Sequence, residues 1–112
     1  MDSLLPLLLA LAEPTRRRII ELLAEGELSA GEIAARFAVS PPAISQHLRV
    51  LRAAALVRVR AEAQRRIYEL DPDGFTALEQ WLAQIRQSWR GRLAASERRL
   101  IKRVRESDAP KT

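Results

Sequence analysis

The sequence predicts a mainly α-helical fold carrying one small β-hairpin. Three observations predict it. Residues 29–56 read as two short helices joined by a tight turn, residues 57–70 as two alternating runs able to pair, and residues 72–105 as one long helical pattern. A chain of 112 residues argues for one domain. It can bury roughly 65% of its unfolded surface, enough for one modest core.

The chain opens on a leucine-rich helix within residues 1–12. Leu4, Leu5, Leu7, Leu8, Leu9 and Leu11 make it apolar almost all round. A short helix of that kind is buried on more than one side. In a small domain the expected cover is a second subunit, which assigns Leu4, Leu5 and Leu8 to a dimer interface. The run is too short to span a bilayer and is broken by Pro6. Asp2 stands where a signal peptide would carry positive charge, so the segment reads as part of the fold and not as an address.

The second helix starts at Glu13-Pro14-Thr15. Pro14 suits a first turn, whereas Glu13 is a poorer N-cap than Asp or Ser. Ile19, Ile20, Leu22 and Leu23 supply the buried face, and Gly26 ends the helix. Arg16, Arg17 and Arg18 form a basic knot at its start, either a solvated face or a set of phosphate contacts.

Residues 29–56 organise the rest. Ser29 and Glu32 stand in capping-box spacing, and Ile33, Ala34 and Phe37 follow at helical spacing. Ala38-Val39 makes the turn. Ser40 is the next N-cap, with Pro41 at the first helical position, where its missing N–H is no loss. In the helix expected over Ser40–Ala55, Ile44, Leu48, Leu51 and Ala55 form one apolar stripe. Pro42, Gln46, Arg49 and Ala53 fall on the opposite face, with Ser45 and Arg52 beside them. That face carries hydroxyl, amide and guanidinium groups. A helix so built can put its N-terminal turns into a DNA major groove while the stripe holds it to the domain.

Val57–Arg60 and Arg66–Leu70 alternate and pair as a hairpin, with Val57 and Val59 on one side and Arg58 and Arg60 on the other. Arg65 and Arg66 add charge, and Glu62 is the one acid among them. The loop over 61–65 has no glycine, which leaves its turn type open. A helix-turn-helix followed by a basic hairpin is a winged helix-turn-helix. PTRRRIIELL (14–23), LSAGEIAARFAVSPPAISQHLRVLRAAALV (28–57) and RIYEL (66–70) resemble the ArsR-type winged-helix repressors, over about half of the chain. SPPAISQHLRVLRAAALV, with its S-x-H-L-x-x-L core, is the most specific part.

The last helix follows Asp71-Pro72, a cap and first turn. Phe75, Leu78, Leu82, Ile85 and Trp89 repeat as a coiled-coil-like seam, and Leu93, Leu100 and Val104 continue it with a phase change near Gly91. Thirty residues of helix span about 45 Å, too long to hide against one small domain. Trp81 lies just off the seam, as plain core or as an interface anchor. Residues 107–112 are polar, contain Pro110 and read as a disordered tail.

Formal net charge is +5, a weak pointer to polyanions. Its distribution says more. Residues 37–66 hold six arginines and one acid, and residues 86–105 hold eight basic residues and Glu97 alone. There is no cysteine, hence no disulfide or thiolate site, which fits a reducing cytoplasm. The single histidine, His47, lies at the border of the recognition stripe, and Ser45 beside it is badly spaced for a nucleophile–base pair. Neither a P-loop nor a dinucleotide fingerprint is present, so no enzyme is expected. Many ArsR-type proteins sense metals through cysteines in the first helix of the pair or through His and carboxylates on the last helix. Here the first place has no thiol and the last helix has no histidine, with Glu79 and Glu97 eighteen residues apart. The chain resembles the members without those sites, and no cofactor is expected.

The resulting expectation is a cytoplasmic, homodimeric, sequence-specific repressor of double-stranded DNA that contacts no membrane. Residues 1–106 form a single winged-helix domain, with 13–71 as DNA-binding core and 1–12 and 72–105 as dimerisation helices. Pro42, Ser45, Gln46 and Arg49 are expected at bases, where Gln pairs with adenine and Arg with guanine. Ser40, His47, Arg52, Arg58, Arg60, Arg65 and Arg66 are expected at phosphates or in the minor groove. Pro41, Gln64 and Arg16 complete the DNA set. The dimer set is Leu4, Leu5, Leu8, Phe75, Leu78, Trp81, Leu82, Ile85 and Trp89. Two alternatives stay open. One is a ligand- or metal-responsive sensor of the same fold, its effector unknown. The other is an interaction module whose basic C-terminal helix binds an acidic protein or RNA.

Overall fold

The computed structural model describes residues 4–108. In chain order it contains α1 (Leu4–Ala12), α2 (Pro14–Ala24), β1 (Leu28–Ser29), α3 (Ala30–Ala34), α4 (Pro41–Ala53), β2 (Val57–Glu62), β3 (Arg65–Leu70) and α5 (Pro72–Asp108). Two compact units result, one ending at Leu78 and the other beginning at Glu79.

The first unit closes on one apolar core. Ile19 of α2, Ile33 of α3, Ile44, Leu48 and Leu51 of α4, and Leu56 and Val57 leading into the hairpin are all almost wholly buried. Each such side chain contributes about 1.5–3 kcal/mol by leaving water. Leu7 and Ala10 of α1 and Tyr68 of β3 join them, and Phe75 and Ala77 from the start of α5 pack against the cluster. The stripe read from Ile44, Leu48 and Leu51 is therefore the face α4 buries.

The helix starts follow local chemistry. Ser29 Oγ accepts from the Glu32 N–H at 3.2 Å while Glu32 Oε1 accepts from the Ser29 N–H at 3.0 Å, the capping box its spacing implies. Glu13, an unfavoured cap by residue type, still caps α2: its Oε2 accepts from the Arg16 N–H at 2.9 Å. Asp71 Oδ1 accepts from the Asp73 N–H at 3.0 Å and opens α5.

The sheet differs from the expected lone hairpin. It has three antiparallel strands in the order β1-β3-β2. The added strand is only Leu28–Ser29, paired with Tyr68 and Ile67, so no alternation could reveal it. Ser29 serves as strand end and helix cap at once, because an N-cap residue already has extended backbone angles, here φ −74° and ψ 161°. The hairpin is also tighter than a loop over 61–65. Glu62 pairs with Arg65, leaving a two-residue turn of Ala63 and Gln64. Such turns need a positive φ, usually met by glycine, and Ala63 supplies it at 56°.

Helix α4 ends in a Schellman motif. The Leu56 N–H reaches the Leu51 carbonyl at 3.0 Å and the Ala55 N–H reaches Arg52 at 3.0 Å, with Ala55 in the left-handed region at φ 58°. The end of the helix is then gripped from the start of α5 and the residue before it. Gly74 N–H donates to the Ala55 carbonyl at 2.9 Å, and Asp71 N–H to the Leu56 carbonyl at 2.9 Å. Ala55, assigned to the stripe from sequence, is thus the turn that stops the helix.

Beyond Leu78, the second unit is helical without interruption through Gly91 to Asp108. Ser107 and Asp108, read from sequence as tail, belong to this helix. The remaining tail residues, 109–112, lie outside the described residues. Leu82, Ile85, Trp89, Leu93, Leu100, Ile101 and Val104 are exposed along the helix, and Trp81 is half-buried.

Candidate nucleic-acid interface

The chemistry of α4 is set from its first turn. Ser40 Oγ accepts from the Ala43 N–H at 3.3 Å, and Pro41 follows at the first helical position. Three aliphatic anchors turn one face inward, so Pro42, Ser45, Gln46, Arg49 and Arg52 stand exposed on the other. Ser40 and Pro41 are exposed as well. Gln46 Oε1 accepts from Arg49 Nη1 at 3.1 Å, which orders the two side chains one turn apart. Arg52 has no ion-pair partner among the described residues. The result is a polar face with both hydrogen-bond donors and acceptors and no carboxylate.

The wing carries less free charge than its composition implies. Strand register puts Arg58, Arg60 and Arg65 on one face of the hairpin and Arg66, opposite Ala61, on the other. The first three are all paired. Arg58 Nε lies 3.1 Å from Glu69 Oε1, Arg60 forks to Glu27 at 2.7 Å and Glu62 at 3.1 Å, and Arg65 reaches Glu32 at 2.8 Å. The Ser29 backbone N–H, then the Ser29 hydroxyl and the Arg65 charge, hold the Glu32 carboxyl below its ordinary range. The side chains of Arg66 and Gln64, both exposed, have no hydrogen-bond or ion-pair partner among the described residues. Alternation alone could have flagged Glu69 opposite Arg58, whereas Glu27 and Glu32 come from the distant β1 region.

Two residues of the expected DNA set face inward. Arg16 is half-buried and donates from Nε to the Ala10 carbonyl at 2.7 Å and from Nη2 to the Leu9 carbonyl at 3.1 Å. Its Nη1 lies 3.3 Å from His47 Nδ1. Glu13 Oε2 lies 3.7 Å from the same His47 nitrogen. Burial works against the Glu13 carboxylate, but the Arg16 backbone N–H, the His47 charge and Thr15 outweigh it and hold the group below its ordinary value.

The residues expected in a dimer interface divide by exposure. Leu5, Leu8, Leu82, Ile85 and Trp89 are exposed, Trp89 by 60% of its surface, while Leu4, Phe75, Leu78 and Trp81 are half-buried. Among the described residues no group of three or more His, Cys, Asp or Glu is placed to hold a metal ion. Among the same residues no helix is long and apolar enough to cross a membrane.

Residues 13–59, from the α2 cap to the middle of β2, match the model of the family described as bacterial regulatory protein, arsR family. The HTH-type transcriptional regulator Rv2034 of Mycobacterium tuberculosis is 55% identical over 69 residues, which cover 62% of this chain and 64% of that protein. The match therefore spans less than two thirds of that relative's length. The transcriptional repressor SdpR of Bacillus subtilis is 40% identical over 62 residues, 55% of this chain and 69% of that one. Among solved structures, an ArsR-like transcriptional regulator from Rhodococcus sp. RHA1 superposes with a TM-score of 0.74 at 30% identity, covering 86% of this chain and 91% of that one.

Proposed function

The chain belongs to the arsR family of bacterial regulatory proteins, and from that premise we propose that it is a sequence-specific DNA-binding transcriptional regulator, acting as a dimeric repressor. The observation that carries this reading is the exposed face of α4. It presents Gln46 and Arg49, the two side-chain types that read adenine and guanine bidentately, on a helix whose other face is anchored at Ile44, Leu48 and Leu51. Pro42 and Ser45 extend the base-reading face. Ser40, Arg52 and Arg66 supply phosphate or minor-groove contacts at its edges. The α4 helices of the two protomers enter successive major grooves, so the operator is a palindrome with half-sites about one helical turn apart. Protection mapping of the duplex upstream of the protein's own gene tests this. A footprint of two symmetric half-sites is expected, and equal protection of all sequences would refute it.

Dimerisation is the economical cover for the exposed apolar side chains. On α1 these are Leu5, Leu8 and Leu9, and on α5 they are Leu82, Ile85 and Trp89. Patches of that kind on a small protein mark an interaction surface. Sedimentation at micromolar concentration should report twice 12.6 kDa. Leu82→Glu should return the protein to a monomer or unfold it, because a carboxylate in a dry interface has no partner. A monomeric wild type at that concentration would exclude this interface.

Operator binding is proposed to be independent of metal. What supports this is a sequence with no thiol and a single histidine, a poor donor set for a tight zinc or soft-metal site. Chelator-treated protein should shift operator DNA as well as untreated protein. A loss of affinity that zinc restores would instead favour the metal-responsive sensor.

A further inference from the structure

Apolar contacts are non-directional. The Ile44–Leu48–Leu51 stripe and the Gly74 and Asp71 hydrogen bonds at the end of α4 fix its depth and its C-terminal end, and a polar contact in the body of the helix adds a directional restraint on its rotation. At a radius of about 6 Å, a turn of roughly 15° about the helix axis moves a side chain by about 1.5 Å. That is enough to break a hydrogen bond to a base edge. Among the polar side chains of α4 behind its cap only His47 is turned inward to supply such a restraint, with 20% of its side chain exposed.

Its neighbours form a connected set. Arg16 uses its rigid fork in three directions, toward Ala10 O, Leu9 O and His47 Nδ1. The two carbonyls lie in the last turns of α1, where backbone acceptors lack helical partners and positive charge is favoured. Glu13 completes the set, with one carboxylate oxygen serving both the Arg16 N–H and the His47 side. The charged groups facing His47 are these two alone among the described residues.

We propose that Glu13, Arg16 and His47 form a latch that sets the rotation of α4 against the end of α1, which makes Arg16 and His47 positioning residues for base reading and not DNA contacts. The proposal rests on the reading that α4 recognises bases. It gives the leucine-rich α1 a direct mechanical link to the reading face.

The test compares affinity across a salt series, using the full chain. The two probes are the duplex that the wild type selects from a random library and a scrambled duplex of the same composition. Arg16→Ala and Arg16→Lys should both reduce the preference for the selected duplex by about tenfold. The salt slope should stay unchanged, because the protein meets as many phosphates as before. Lysine fails here because an ammonium cannot span the Ala10 and Leu9 carbonyl oxygens while packing against His47. His47→Asn, whose amide can either donate or accept near the Nδ1 position, should retain the preference, and His47→Ala should abolish it. If Arg16→Ala does not fold, the two His47 variants decide the matter. The latch is overturned if Arg16→Lys binds like the wild type. It is equally overturned if Arg16→Ala weakens both duplexes and lowers the log–log slope by about 0.9 for each phosphate no longer neutralised, about 1.8 for the two protomers together. A wild type with no preference between the duplexes would remove the base-reading premise itself, and the latch with it.

Discussion

Gly74→Ala is expected to destabilise the protein by about 3 kcal/mol, a drop in melting temperature of roughly 15 °C. A Cβ at this position would lie 2.4 Å from the Ala55 carbonyl oxygen, 2.8 Å from its carbon and 3.1 Å from the Ala54 oxygen. All three obstructing atoms are backbone. Side-chain repacking cannot relieve the clash, and the start of α5 has to retreat from the end of α4. Retreat breaks the Gly74-to-Ala55 hydrogen bond, which braces the Schellman turn at the end of α4 where Ala55 holds a left-handed conformation. The same substitution at Gly91 serves as the control. Nothing lies within 4 Å of a Cβ there, so alanine should stabilise that helix by up to about 1 kcal/mol. Thermal melts of the two variants should shift in opposite directions. A Gly74→Ala protein melting within about three degrees of the wild type would show that the close approach is absent in solution.

Gln46→Ala should cost roughly 1–3 kcal/mol per half-site on operator DNA and little on scrambled DNA. In a symmetric dimer the effect counts twice. The substitution removes a base-reading amide and also the acceptor that orients Arg49, 3.1 Å away. Arg66→Ala should behave differently. A cation at a phosphate contributes through released counterions, so both duplexes should weaken and the log–log salt slope should fall by about 0.9 for each phosphate left unneutralised. Arg58→Ala should change the slope less than Arg66→Ala, since the Arg58 guanidinium is already matched by Glu69 at 3.1 Å. Affinity against salt, for each variant on both duplexes, separates the cases. Equal weakening of both duplexes by Gln46→Ala would mean that another face of α4 meets DNA.

The sequence makes legible what is local. The Ser29–Glu32 box, the Ser40 cap with Pro41, and the Ile44–Leu48–Leu51 stripe involve residues no more than a few positions apart, and the fold keeps each of them. Pairing at a distance is not legible. Leu28–Ser29 becomes a strand only because Ile67 and Tyr68 are there to pair with it. Charge counting over 37–66 misses that Glu27, Glu32 and Glu69 return to neutralise three of the wing arginines. Arg16 and His47 look like groove-edge cations, yet they are thirty-one positions apart and face each other. The wing turn is hidden for another reason. Ala63 occupies a conformation that residue type argues against, so its two-residue length shows only once the strand register is known.

Glu32 has one further consequence. The same carboxylate oxygen closes the cap of α3 and holds Arg65 at the wing tip, so wing and helix pair are tied before any ligand arrives. A wing joined in that way, even by an exposed pair worth at most about 1 kcal/mol, has less conformational freedom to surrender on association, and ordering a loose segment is a standard entropic penalty on binding. If the chain binds DNA as proposed, it meets its target with the wing already placed, so a duplex is selected by fit to that shape as well as by adaptation of the wing.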